Sequence, residues 1–414
     1  MKIYLYYLIE NLEIESPAGD DTKLLGNHAL WRFTKNNLST TVRNALEMLY
    51  EALQRQPGWE PWGWVDYWYL KRELEDHQSI SQVARLFGSL NGPQPQNNSW
   101  SQVFTENLEQ TIAGDDGWPW EDDFHYDFLS YLFLYDAQEL RVPLVLVELQ
   151  DNSKSLYGRA HKCPFRMEPS HLGDSTEAIL EPPFDYLISK SDFASFQQFI
   201  YRVSEASKLR SGSPPLEFLQ VGWKRFHRLV EQFHDMLRYG GIKEGGRYFG
   251  DTKDLRDSLL FDSIVVMEAL FGEKYEVKDK LASRVATAIA KPPDRLKVFQ
   301  EIRNIFGARN DLVHGNPGSL KNLFEKFNMT PNALLWCVRR SVLACLCLIE
   351  AIGQDSSFMN GVRILQGPDA VSEKPKKLKN TIGTLLDFAL FDGELDKLLQ
   401  TKTQALITCA RPPS

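Results

Sequence analysis

A chain of 414 residues, 43% hydrophobic and 25% charged, is too long for one small core and is composed like two or three soluble globular domains. Its formal net charge of −8 is unevenly spread, with 15 basic and 30 acidic side chains in residues 1–200 against 32 and 25 in residues 201–414. Five scattered cysteines without a C-x-x-C pair argue against a disulfide framework and a thiolate zinc site, and fit a reducing cytoplasm.

A phosphate-rich partner is drawn to the second half and repelled by the first, although two domains can also differ in surface charge for no reason of binding. Glu10, Glu13 and Glu15 follow the brief apolar start, so no signal peptide is expected. The longest apolar run, 333–352, is interrupted by Arg339-Arg340, and no membrane span is expected there.

Residues 2–15 open as a strand-like stretch. Residues 41–53 are predicted to be an amphipathic helix, with Val42, Leu46, Leu49 and Leu53 on one side and Ser39 as its cap. Eight of the ten tryptophans precede residue 121, and four fall within 59–68, where Pro57, Gly58, Pro61 and Gly63 impose loop. Such rings can stack on bases, or fill the corners of a small mixed domain. Asp115, Asp116, Glu121, Asp122 and Asp123, with His125, form an acidic cluster that Gly117 and Pro119 make a solvated loop rather than a cation site. Strands are predicted at 142–149 and 178–189, the second interrupted by Pro182-Pro183. His161 and Cys163 lack a second ligand pair, so no zinc is expected. A helix starts after Ser191-Asp192, turning Phe193, Phe196, Phe199, Ile200 and Val203 inward.

The stretch Arg210-Ser-Gly-Ser-Pro-Pro215 is the clearest boundary in the chain. Beyond it the pattern is helical: 216–239, then 252–271, apolar on nearly every face and so a central packed helix, then 277–290, 294–314 and 333–352. The glycine-rich stretch 239–247 lacks the G-K-[ST] ending of a phosphate loop and is better understood as a hinge. A basic linker at 374–379 leads to two short helices, 381–391 and 395–406, as a cover on the bundle. The fold class expected is α+β. A Trp-rich acidic mixed domain over 1–209 precedes an all-α bundle over 216–353, with a basic linker and helical tail over 354–414.

The chemistry concentrates at Arg309-Asn310-Asp311-Leu312-Val313-His314-Gly315. An α-helix turns by roughly 100° per residue. On that wheel Val298, Ile302, Ile305, Phe306, Leu312 and Val313 form an apolar stripe with Arg309 in its middle. A guanidinium aimed at a packing face is costly unless something pairs with it. Asn310 and His314, at i and i+4, share the adjoining face, and His314 lies in the last turn before Gly315 and Pro317. One helix end therefore presents a fixed cation, an amide and an imidazole. The plainer alternative is that Arg309 meets a buried carboxylate, Glu268 or Asp262, while His314 helps to end the helix.

This phrase resembles the signature of the HEPN superfamily: Arg, a polar residue, a short spacer, then His. The similarity is closest to its Apea-like branch. There a helix like 259–271 precedes one like 280–286, and the motif helix ends in a phrase like Arg309-Asn-Asp-Leu-Val-His-Gly315; together these cover about residues 216–353. Asp311 after the polar residue is a departure from the branch, and the first 205 residues carry no resemblance.

The resemblance implies an all-α HEPN-type bundle that forms a homodimer, with two Arg–His motifs facing one groove, and a metal-independent endoribonuclease needing no cofactor. In that chemistry the RNA 2'-hydroxyl is the nucleophile and His314 moves protons. Arg309 holds the non-bridging phosphate oxygens, and Asn310 orients the phosphate or His314. RNA, with tRNA one candidate, is the expected partner, and the role that of a cytoplasmic toxin or anti-phage effector. An antitoxin or sensor would engage the N-terminal domain. Two alternatives remain at this point: a non-catalytic HEPN module that binds RNA or a nucleotide or only dimerises, and an adaptor whose N-terminal domain binds a partner protein.

Overall fold

The computed structural model describes residues 2–10, 12–15, 21–24, 31–34, 68–74, 123–137, 141–150, 155–160, 186–209, 216–240, 252–273, 278–314, 330–367 and 374–412. The predicted helix at 41–53, most of the tryptophan cluster, the acidic residues 115–122, the pair His161 and Cys163, the boundary at 210–215 and the glycine-rich 241–247 lie outside them. The chain divides into two compact units, one of residues 1–125 and 138–201, the other of 126–137 and 202–414.

The first unit holds the strands. β1 (Lys2–Glu10), rich in Tyr, Leu and Ile, is flanked on both sides, as its β-prone residues suit. β2 (Leu12–Ile14), β3 (Asp21–Leu24), β4 (Trp31–Thr34), β5 (Trp68–Leu74), β6 (Arg141–Gln150), β7 (Ser155–Ala160) and β8 (Tyr186–Ile188) follow. Six make an antiparallel sheet in the order β3-β4-β5-β1-β6-β7, while β2 and β8 pair in parallel. Ile9 and Trp68, partners in the β1–β5 register, are both buried. Proline inside a strand flanked on both sides is tolerated mainly at a bulge. The β1–β6 register slips between Leu8 and Glu10, which places the extra residue at Val142 and Pro143. The expected strand over 2–15 is thus β1 and β2; that over 142–149 is β6, and the described part of 178–189 is β8.

The second unit is helical. The helices are α1 (Asp123–Tyr135) and α2 (Phe193–Lys208), whose first residues, to 125 and to 201, count with the first unit, then α3 (Glu217–Gly240), α4 (Thr252–Phe271), α5 (Lys278–Ile289), α6 (Arg295–Val313), α7 (Pro331–Gln354), α8 (Ser356–Gln366), α9 (Pro375–Ala389) and α10 (Gly393–Ile407). The five α2 residues expected inward are all buried. α3 and α4 pack against each other. Phe133 of α1 sits against Phe226 and Phe233 of α3 at 6.0 and 5.5 Å between centroids, and Tyr131 against Trp223 at 5.7 Å. Each such ring removed from water contributes about 1.5–3 kcal/mol before its ordering cost.

Two expectations are corrected. α4 is not packed on every face: Ser258, Phe261 and Val265 lie half-open along one strip, and α7 is the helix buried almost all round from Cys337 to Ile349. α7 accommodates the fully buried Arg339 by pairing its Nη2 with the Leu134 carbonyl at 3.0 Å and stacking it over Trp336. The basic stretch 374–379 is no linker, because Pro375 occupies the first turn of α9, where its missing N–H costs nothing. α1 and α8 are helices that the sequence pattern does not mark; α8 is capped by Asp355, which accepts from Phe358 N at 2.9 Å, and ends at Gly367 with φ 89°. Among the described residues no helix is long and apolar enough to cross a membrane.

Candidate functional site

The site begins with the ending of α6. Pro292–Asp294 forms a single 3-10 turn that starts the helix, and Val298, Ile302, Ile305, Phe306 and Ala308 bury its inner face. Leu312 is only half-buried and Val313 is 53% exposed, so the predicted apolar stripe ends one turn before the helix does. The last turn is therefore displayed rather than packed. His314 caps it, its backbone N–H donating to the Asn310 carbonyl at 3.0 Å, and Asn310, Asp311 and His314 are all exposed.

Arg309 lies between these two regimes, half-buried. Its guanidinium carbon stands 5.6 Å from the Phe261 ring centroid on α4, within cation–π range. Its Nη1 donates to Asn310 Oδ1 at 3.2 Å, and its Nε is buried with no hydrogen-bond partner among the described residues. The carboxylate partner that a structural role would require is not found there. Asp262 is taken by Arg225 and Arg228 of α3, and neither Asp262 nor Glu268 pairs with Arg309. Phe261 belongs to the site although the sequence pattern did not single it out; its only signal is an aromatic on the outer strip of α4, where a polar residue is ordinary.

The structure thus brings Arg309, Asn310 and His314 to one helix end, with the guanidinium tied to the amide and the imidazole one turn beyond. A partly desolvated guanidinium with unspent donors is suited to a phosphate or carboxylate, which its planar fork can grip in two places. An exposed imidazole at the same helix end is a group that can donate or accept a proton. Among the described residues no group of three or more His, Cys, Asp or Glu could hold a metal ion.

Set beside known proteins, the chain has no match among protein-family models, curated proteins or solved structures.

Proposed function

We propose that the chain is a metal-independent endoribonuclease of the HEPN type, acting as a toxin or anti-phage effector on RNA. The observation that carries the proposal is the half-buried Arg309, held over Phe261 with no carboxylate on it among the described residues, beside Asn310 and one turn from an exposed His314. An imidazole takes the proton of the 2'-hydroxyl, whose oxygen attacks the adjacent phosphorus. The bond from phosphorus to the 5'-oxygen breaks, and that oxygen takes a proton from a second imidazole, His314 of another copy. The products are a 2',3'-cyclic phosphate and a 5'-hydroxyl. Arg309 stabilises the charge that builds on the non-bridging oxygens, and Asn310 fixes the guanidinium that does so.

A second reading, a non-catalytic HEPN module that only dimerises, draws on Asp311. Its carboxylate, exposed next to Asn310, repels phosphate from the same helix end.

Incubation of the purified chain with end-labelled total RNA in EDTA separates the two. The endoribonuclease leaves fragments with cyclic phosphate ends, and His314→Ala leaves none. Intact RNA with both proteins, or cleavage that only magnesium restores, overturns the proposal.

A further inference from the structure

The half-open strip of α4, formed by Ser258, Phe261 and Val265, has cations on both borders. On one border Arg309 of α6 lies over Phe261. On the other, Asp262 follows Phe261 by roughly 100° of helix turn, and there α3 supplies two more arginines. Arg225 Nη1 stands 3.3 Å from Asp262 Oδ1, and Arg228 Nε stands 3.2 Å from Asp262 Oδ2. Gln232 Nε2 donates to the same carboxylate at 3.0 Å. Asp262 is 4% exposed and is satisfied by Gln232 and one guanidinium; the second cation is surplus. The Arg225 and Arg228 side chains remain 43% and 59% exposed. A guanidinium carries five N–H donors, and one carboxylate uses a minority of the ten on these two.

We propose that Arg225 and Arg228 are the second phosphate-binding border of a groove floored by α4, and that a single RNA strand lies along it with its scissile phosphate at Arg309. This rests on the endoribonuclease reading. Buried Asp262 fixes the two guanidiniums in place, so little side-chain freedom is lost when phosphates bind. Packed helices stand about 8–10 Å apart. The two borders, one helix to either side of α4, are therefore a few nucleotides apart. The floor is Phe261 and Val265, apolar surface that suits the faces of unpaired bases and offers nothing to a duplex.

The test uses the full chain carrying His314→Ala, so that RNA is not consumed. The probe is a fluorescein-labelled single-stranded RNA of about 20 nucleotides, titrated by anisotropy at several potassium chloride concentrations. Removing one phosphate-neutralising cation flattens the slope of log affinity against log salt by about 0.7 for a single strand. Arg225→Gln and Arg228→Gln are each expected to weaken binding and flatten the slope by about that amount. Each single change leaves the other arginine and Gln232 on Asp262, so the buried carboxylate stays paired and melting stays near that of the parent. Lys224→Gln removes an exposed charge from the same helix and is expected to leave the slope unchanged. Parental affinity and slope in both arginine variants overturn the proposal, as does an equal flattening by Lys224→Gln, which would mean diffuse charge attraction only. Failure of the endoribonuclease reading shows elsewhere: RNA left equally intact by wild type and His314→Ala, whatever the binding slopes.

Discussion

Arg284 of α5 donates through Nε and Nη2 to both carboxylate oxygens of Asp387 on α9, at 2.8 and 2.6 Å, across 103 residues of sequence. The guanidinium is 1% exposed, and it also reaches Glu273 at 2.6 Å and the Phe271 carbonyl at 3.1 Å. α9 can come this close because residue 383 is glycine: a Cβ there would lie 2.8 Å from the guanidinium carbon. Arg295 pairs with Asp396 of α10, and Gln400 donates to the Thr287 and Ala290 carbonyls, so the C-terminal helices are bound into the bundle by polar contacts at several points.

Breaking this arrangement is expected to unfold more than the tail. Arg284→Ala leaves Asp387 and Glu273 only Lys280, at 3.7 and 3.2 Å, and should cost about 3 kcal/mol, the low end for a broken buried pair because Asp387 is 33% open to water. Gly383→Ala should cost about 1–3 kcal/mol through overpacking. Denaturant titration checks both; a Gly383→Ala midpoint equal to wild type would show that α9 is free to shift away.

Acid should loosen the same contact. The hydrogen bond from Arg284 holds the Glu273 carboxyl below its ordinary value of 4.5, with Lys280 adding to the effect. A lowered folded value means that the stabilisation is present above the ordinary range and is lost as pH falls below it. Melting temperature should therefore decline as pH drops below about 4.5, and Glu273→Gln should make that decline shallower. Parallel wild-type and variant melting curves in acid would exclude a Glu273 contribution.

Burial pushes the Cys345 and Cys347 thiols up to about 12, and raises Cys337 as well. The thiolate is the reactive form, so in the native protein near pH 8 these three should resist a maleimide while exposed Cys409 reacts within minutes. Mass mapping of the labelled sites checks this. Rapid native labelling of Cys345 would mean that α7 opens.

Arg309 and His314 should separate chemistry from stability. His314→Ala is expected to lower RNA turnover by roughly two to four orders of magnitude with binding nearly unchanged, the usual reach of acid–base catalysis. Arg309→Lys keeps the charge, loses the planar fork, and should be nearly inactive. Neither change should shift melting far, because His314 is exposed and Arg309 has no carboxylate to strand among the described residues. A large melting drop in Arg309→Ala, with His314→Ala still cutting RNA, would show that the guanidinium holds the fold.

The proposed acid and base come from two copies, so the active form should be a dimer. Sedimentation at micromolar concentration is expected to give twice the 47.6 kDa chain mass. Monomer throughout, with activity linear in protein concentration, would refute a site shared between copies.

Periodicity alone determined most of the helices. α4 starts and stops where the apolar pattern does, at Thr252 and Phe271, and α5 and α6 lie within a residue of their expected ends. Helical repeat and breakers such as Pro292-Pro293 are local information, and helix ends respond to them directly. The run Arg309-Asn310-Asp311-Leu312-Val313-His314 likewise displayed its own three side chains at a helix end. Other features depended on which segments meet. α8 carries Asn360 and Gly361 in its middle and is a helix through its Asp355 cap and packing that pattern does not register, while α9 extends the expected helix back through a charge run to Pro375. Only the packed bundle decided that Asp262 binds the arginines of α3 and leaves Arg309 over Phe261. Only it paired Arg284 with Asp387, because a buried charge takes its partner from whatever element packs beside it, and sequence separation carries no record of that choice.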